Sequence, residues 1–462
     1  MTFTSLSFFV FAGVFFLGWR VLRDRLQGRW IWLTFASFFF YGWWDWRFLS
    51  LLVATGVFDF VMGLSIERWP RYRRTLLTLS IVSNLSVLAS FKYAIFVAGN
   101  LEWMLGWFGS RPDLVNQLPS ALLILPIGIS FYTFESLSYT IDVYKGHIRP
   151  TRNIFHFFAF LSMFPRLVAG PIERPANLLP QLEVRRPVSD EMAWKGFFLI
   201  VTGFFKKVVI ADRLAIFVNE TFAHAAPVSG VTWWCAMFAF ALQIYCDFSG
   251  YSDIARGLAN FMGFEFKLNF NAPYIARGFS DFWTRWHISL SSWFRDYLYI
   301  PLGGSRGGEW RAHRNLWITM LTSGLWHGAA WTYVVWGGFH ALMLSVERLF
   351  PWPSKIGRWP AIAVTFGLGT LGWVFFRAPD FGKALEVLRA MLLFTPGAEL
   401  VRPSIFVYLL LGLAPQWAQE ISRRDYIECL PPQVWVRVAL AILILACIYG
   451  RGPEATFIYF QF

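Results

Sequence analysis

Charge is what this sequence has least of. Only 15% of its 462 residues are Asp, Glu, Lys or Arg, against about 25% in an average globular chain. Hydrophobic residues make up 56% and aromatics 20%. A soluble chain of this size needs far more polar surface, so a soluble globular protein is excluded. Cysteine is also scarce, with four in the chain. Cys235 and Cys246 share a face of one helical run but stand about 16 Å apart along it, too far to bridge. Cys429 and Cys447 complete the set. With no C-x-x-C and no H-E-x-x-H pattern, neither a disulfide framework nor a zinc site is indicated, and no metal is expected. Alternating ten-residue segments are absent, which excludes a transmembrane β-barrel. Internal repeats, low-complexity linkers and soluble domains are absent too. The first apolar stretch, Leu6 to Trp19, has no basic region before it and no cleavage site, so it reads as a retained span.

What the chain has in abundance is uncharged apolar runs, many near the roughly 20 residues that cross a bilayer as helix. The fold class is therefore an all-α polytopic membrane protein, with roughly 11 to 13 membrane-embedded helices, re-entrant or interfacial ones included. The net charge of +13 does not point to nucleic acid, because the basic residues sit in short clusters between apolar spans. Arg20, Arg23, Arg25 and Arg29 form one cluster; Arg68, Arg71, Arg73 and Arg74 form the next. Between them a helical hairpin, Trp30–Trp44 and Phe48–Ile66, returns to the same side. Thr75–Val97 crosses out, the weakly basic linker Gly99–Leu118 follows, and Pro119–Ile141 crosses back to Lys145, Arg149 and Arg152. The basic clusters are expected on the cytoplasmic side and the N-terminus outside. Residues 1–462 read as one transmembrane domain: N-terminal spans to 118, a core over 119–350 and C-terminal spans over 351–462.

Chemistry has few places to hide in such a chain. Leu316 to Val346 carries no charged residue, yet holds His327 in "SGLWHGAAWTY" and His340 near its end. As one straight helix this run would be about 46 Å long, beyond the roughly 30 Å of hydrocarbon, so it should break near Gly324, Gly328 or Gly337–Gly338. An ionisable group inside a membrane is costly and marks function or a polar pathway, unless it is a neutral histidine bonded to a neighbouring helix. "SDFWTRWHISLSSWFRDYLYI", Ser280 to Ile300, reads as one amphipathic helix with Ser280 as N-cap. His287, Ser291 and Arg295 form one stripe on it; Arg285, Ser289, Ser292 and Asp296 form another. It either meets headgroups or lines a hydrated cavity. "IYCDFSGYSD" contributes Asp247 and Tyr251. Capping accounts for Ser252 and Asp253, whereas Asp247 continues an apolar face. "PLGGSRGG" is a flexible turn and not a P-loop. Glu135 needs a basic or hydroxyl partner. The prolines and glycine of "FPRLVAGPIERP" suggest irregular backbone lining a cavity.

"GLWHGAAWTYVVWGGFH" resembles the signature of the membrane-bound O-acyltransferases. "FWTRWHISLSSWFRDYLYIPLGGSRGG", "YCDFSGYSDIARGLANFMGFEFKLNFNAPY", "FPRLVAGPIERP", "PIGISFYTFESLSYTIDVYKG", "GFFKKVVIADRLA" and the tail "FIYFQF" resemble the family's bacterial branch typified by the alginate O-acetyltransferase membrane subunit. The resemblance runs from about Pro126 to the end. It implies a helical fold around a central funnel or tunnel, in a bacterial inner membrane. It implies an acyl donor, typically acetyl-CoA, entering from the cytoplasm, an exported polysaccharide as acceptor and a separate periplasmic partner protein. His327 matches the family's essential histidine and His287 its second. Mechanistically, His327 is expected to act as general base while His287 orients or polarises the acyl carbonyl. Arg285, Ser291, Arg295, Asp296, Trp326, Asp247 and Tyr251 are the candidates for substrate contact. The rival readings are D-alanyl or other acyl transfer to a cell-wall polymer, a proton-coupled transporter, and a non-catalytic scaffold. A transporter would predict inverted repeats, and none is visible.

Overall fold

The computed structural model describes residues 1–109, 112–168, 170–421, 429–455 and 457–458. Among the described residues the ordered elements are helices; the β-pairing is an isolated bridge between Val228 and Ala398. Four helices are long and apolar enough to cross a membrane: Trp46–Arg68, Pro70–Lys92, Gly230–Met262 and Arg358–Arg377. Leu6–Leu22, Ala94–Gly106 and Val434–Tyr449 are shorter apolar helices. Chain contacts divide the protein into two compact units, Met1–Ala193 with Leu258–Phe266, and Trp194–Gly257 with Lys267–Phe462.

In the first unit, capping sets where helices start. The Ser5 hydroxyl accepts from the Phe8 amide and opens Leu6–Leu22. Asp45 accepts from the Arg47 amide at 2.9 Å and opens Trp46–Arg68. Buried polar groups then tie the helices together. Asp59 is fully buried in Trp46–Arg68. Ser80 and Asn84 donate to it from Arg73–Lys92, at 2.6 and 2.7 Å, and Ser136 donates from Ile129–Lys145. A carboxylate with that many donors is a stable crosslink between three helices, and removing it would strand buried hydroxyls and an amide. Glu135 has the basic partner expected of it: Arg166, also buried, pairs with it and donates to the Phe160 carbonyl.

Several predicted boundaries move. Pro119–Ile141 is not a continuous span: a 3-10 turn covers Ser120–Leu123, and the helix begins only at Ile129. Pro126 lacks an amide hydrogen and Gly128 has φ +75°, so helix cannot propagate through them. Thr75–Val97 ends at Lys92, and Ala94–Gly106 draws the start of the predicted linker into helix. The chain leading into "FPRLVAGPIERP" forms two short helices, Ile154–Leu161 and Phe164–Leu167, with Pro165 in the first turn of the second; Ala169 lies outside the described residues.

In the second unit the helix ending at Phe204 widens into a π-turn, Phe205–Ala211, before Asp212–Ala223. Lys207 in that turn lies 2.8 Å from Asp247 and 3.0 Å from Asp212, and donates to the Ala455 carbonyl at 3.1 Å. Asp247 also accepts from the Ile458 amide at 2.8 Å. This buried ionic node therefore anchors the C-terminal segment. Most of "FIYFQF", from Tyr459 on, lies outside the described residues. Within the most apolar window of Gly230–Met262, 78% of residues are buried, so this helix serves as core rather than lipid-facing surface.

Candidate active site

The overlong run does break. Helix Glu309–His327 ends on His327 itself, Gly328 and Ala330 are extended, and Trp331–Leu349 returns antiparallel. Two glycines let the helices pack backbone to backbone. A Cβ on Gly324 would collide with the Tyr333 carbonyl oxygen, and one on Gly337 with that of Met320. The crossing fixes the end of the first helix and so the position of His327. Its imidazole is buried in an aromatic cage: Trp326, Trp336 and Phe376 rings lie at 5.0, 5.1 and 5.3 Å, each steeply inclined to it. His340, one turn beyond Trp336, lies 4.7 Å from Trp336 and 5.1 Å from Trp283. It packs in the same aromatic layer.

His287 is held differently. The predicted helix Ser280–Ile300 is in fact three pieces: Phe279–Arg285, Ile288–Phe294 and a π-turn, Arg295–Tyr299. His287 sits at the first break with φ +41°, a left-handed conformation that costs a non-glycine residue about 1–2 kcal/mol. Asn269 over-determines it. The Asn269 carbonyl accepts from the Ile288 amide at 2.8 Å. Its side-chain oxygen accepts from the Ser289 amide and hydroxyl, and lies 3.1 Å from His287 Nδ1. A backbone amide can only donate, so that side-chain atom is the oxygen and Nδ1 must carry the proton. His287 belongs to no spanning helix, and burial pushes its imidazole well below the ordinary range. The ring is therefore neutral, with its lone pair on Nε2. Phe248 stands perpendicular to it at 4.6 Å and Trp326 lies 6.1 Å away. The two histidines flank one indole.

Beside them lies a cavity of about 340 Å³. Ser291, Ser292 and Arg295 line one wall; Thr319, Met320 and Ser323 line the other. Ser323 is one helical turn before His327 on the same face, so the cavity wall reaches within a turn of that imidazole. Ser291 donates to the Trp286 carbonyl at 3.0 Å, and the exposed Arg295 guanidinium meets Asp296 at 2.8 Å.

The other sequence candidates are committed elsewhere. Arg285 pairs with Asp281 at 2.6 Å and is absent from the cavity wall. Asp247 pairs with Lys207, and Tyr251 packs against Phe457 at 5.0 Å. Both thus adjoin the C-terminal segment, with Phe248 between them and His287. The helix start expected at Ser280 is instead made by Glu347, whose carboxylate accepts from the Phe279 and Ser280 amides. Sequence reasoning missed Asn269, Ser323 and Glu347. The signal for Asn269 was a polar residue inside the apolar stretch "FKLNFNAPY".

Helices long and apolar enough to cross a bilayer, with imidazoles buried among aromatics beside a cavity, define a polytopic membrane protein with a buried candidate site. Residues 38–351 match the profile described as MBOAT, membrane-bound O-acyltransferase family, and the chain belongs to that family. It is 40% identical to the probable alginate O-acetylase of Pseudomonas putida, over 98% of this chain and 97% of that protein. Identity to the probable alginate O-acetylase of Pseudomonas aeruginosa is 42%, over 83% of this chain and 72% of that one. The peptidoglycan O-acetyltransferase of Helicobacter pylori is 36% identical over 84% of this chain and 79% of its own length. The chain is thus an acyltransferase, and it uses an acyl donor.

Proposed function

We propose that this protein moves an acetyl group from cytoplasmic acetyl-CoA across a bacterial inner membrane for O-acetylation of an exported polysaccharide, alginate or a similar exopolysaccharide. The observation that carries this reading is the likeness to the Pseudomonas putida protein along nearly the whole chain. The Helicobacter pylori relative supports a second acceptor of the same class, a peptidoglycan glycan. A separate periplasmic protein completes delivery, and the N-terminus faces the periplasm.

His327 is the general base. It removes the proton from an attacking hydroxyl as the hydroxyl oxygen bonds to the thioester carbonyl carbon; the tetrahedral intermediate then expels the thiolate, which takes that proton. His287 carries its proton on Nδ1 and offers a lone pair at Nε2. That tautomer suits orienting a proton-bearing reactant better than polarising a carbonyl, which needs a donor. Trp326 fixes the spacing of the two rings. Ser291 and Arg295, with Asp296 beside it, contact the donor in the adjoining cavity, where a guanidinium favours a phosphate.

The test is His327→Ala in purified, folded protein supplied with radiolabelled acetyl-CoA. Acetyl turnover is expected to fall by about 10²–10⁴-fold in protein that still unfolds cooperatively, at a somewhat lower melting temperature because a buried ring is removed. Wild-type turnover in that variant removes His327 from the chemistry. Full activity in His327→Ala with complete loss in His287→Ala would exchange the two roles.

A further inference from the structure

A second cavity, of about 120 Å³, lies within the first unit, and its polar lining is arginine. Arg23, Arg29, Arg185 and Arg186 face it, and Trp19 and Phe264, packed edge to face with ring centroids 5.8 Å apart, supply apolar lining. Arg29 is only 4% exposed. It donates to the Val184 carbonyl at 3.3 Å and to that of Leu182 through its two terminal nitrogens, but its Nε–H has no acceptor. Leaving a buried charged donor unsatisfied is unfavourable, so its persistence points to an acceptor not supplied by the chain. One acid stands at the rim: Asp24 meets Arg185 at 2.9 Å and lies 3.9 Å from Arg23. Four guanidinium groups against one carboxylate leave the cavity strongly cationic.

We propose that this cavity binds the phosphate of an anionic phospholipid headgroup. A guanidinium fork matches a phosphate, and the volume admits a small anion rather than a single water. The lipid source is favoured by Leu6–Leu22, the apolar helix that carries Trp19. Its outward residues Val14, Leu17 and Val21 are all more than half exposed, giving acyl chains a surface that leads to the arginines.

The experiment is native mass spectrometry of the detergent-purified chain after exposure to equal phosphatidylglycerol and phosphatidylcholine. The wild type is expected to retain phosphatidylglycerol preferentially. Arg23→Gln with Arg186→Gln, which leaves the carbonyl contacts of Arg29 in place, should lower that retention about tenfold or more and leave phosphatidylcholine unchanged. Equal retention of the two lipids, or undiminished phosphatidylglycerol in the double variant, overturns the site. Millimolar coenzyme A should not displace the lipid; if it does, the phosphates bound are those of a nucleotide thioester and the lipid assignment falls. No arm depends on turnover, so failure here leaves the acyl-transfer reading untouched.

Discussion

His287 shows how one residue's backbone and side chain can be fixed by a single neighbour. Its left-handed φ is unfavourable by itself, and the four contacts to Asn269 make it the stable choice. The same contacts select the imidazole tautomer. Asn269→Ala removes the side-chain acceptor, so the ring is free to place its proton on either nitrogen. On the role proposed for His287, turnover should fall about tenfold or more, with KM for the acyl donor nearly unchanged, because tautomer and orientation would matter in the transition state rather than in donor binding. Asn269→Asp keeps an acceptor for Nδ1–H and should recover part of the loss. Steady-state kinetics of both variants check this. A wild-type rate for Asn269→Ala would mean the clamp serves stability alone.

At the scale of elements, the glycine crossing decides whether the site exists. Gly337 and Gly338 are adjacent in sequence and opposite in consequence. A methyl at Gly337 meets the backbone of the facing helix, which cannot yield; one at Gly338 finds side chains at ordinary contact distance, Leu321 at 3.6 Å and Trp317 at 3.9 Å. Gly337→Ala should destabilise the protein by roughly 1–3 kcal/mol and depress turnover, while Gly338→Ala should be tolerated. Thermal unfolding in detergent separates the two; equal effects would contradict the packing. Such elements were only partly legible in the sequence. The excess length of Leu316–Val346 demanded a break, and glycine marked the right neighbourhood. The break at His287 left no such trace, because nothing local favours a left-handed histidine; its cause is Asn269, 18 residues upstream. The stripe of His287, Ser291 and Arg295 failed for that reason, although Ser291 and Arg295 do share a cavity wall. Arg285 and Asp247 were plausible ligands by type; the Arg285–Asp281 pair is an i,i+4 spacing that helical periodicity does encode, whereas the pair of Asp247 with Lys207 depends on three-dimensional packing that periodicity does not.

For the whole molecule, the open quantity is which way it faces. Basic residues concentrate at Arg20–Arg29, Arg68–Arg74 and Lys145–Arg152, whereas the segment after Ala94–Gly106 carries little positive charge. Basic side chains resist translocation, so the proposed orientation puts the side holding these clusters in the cytoplasm. The proposed donor is a cytoplasmic thioester with anionic phosphates, and the same positive bias would raise its local concentration on that side. Arg71 and Gln117 are both exposed and belong to opposite sides of this scheme. In a full-length chain with Cys235, Cys429 and Cys447 changed to serine, Gln117→Cys should react with a membrane-impermeant maleimide on intact spheroplasts. Arg71→Cys should react only after lysis. The reverse pattern would place the arginine clusters outside and leave the acetyl-CoA route without its electrostatic support. Labelling of both in intact spheroplasts would place the two segments on one face and break the hairpin order on which the orientation rests.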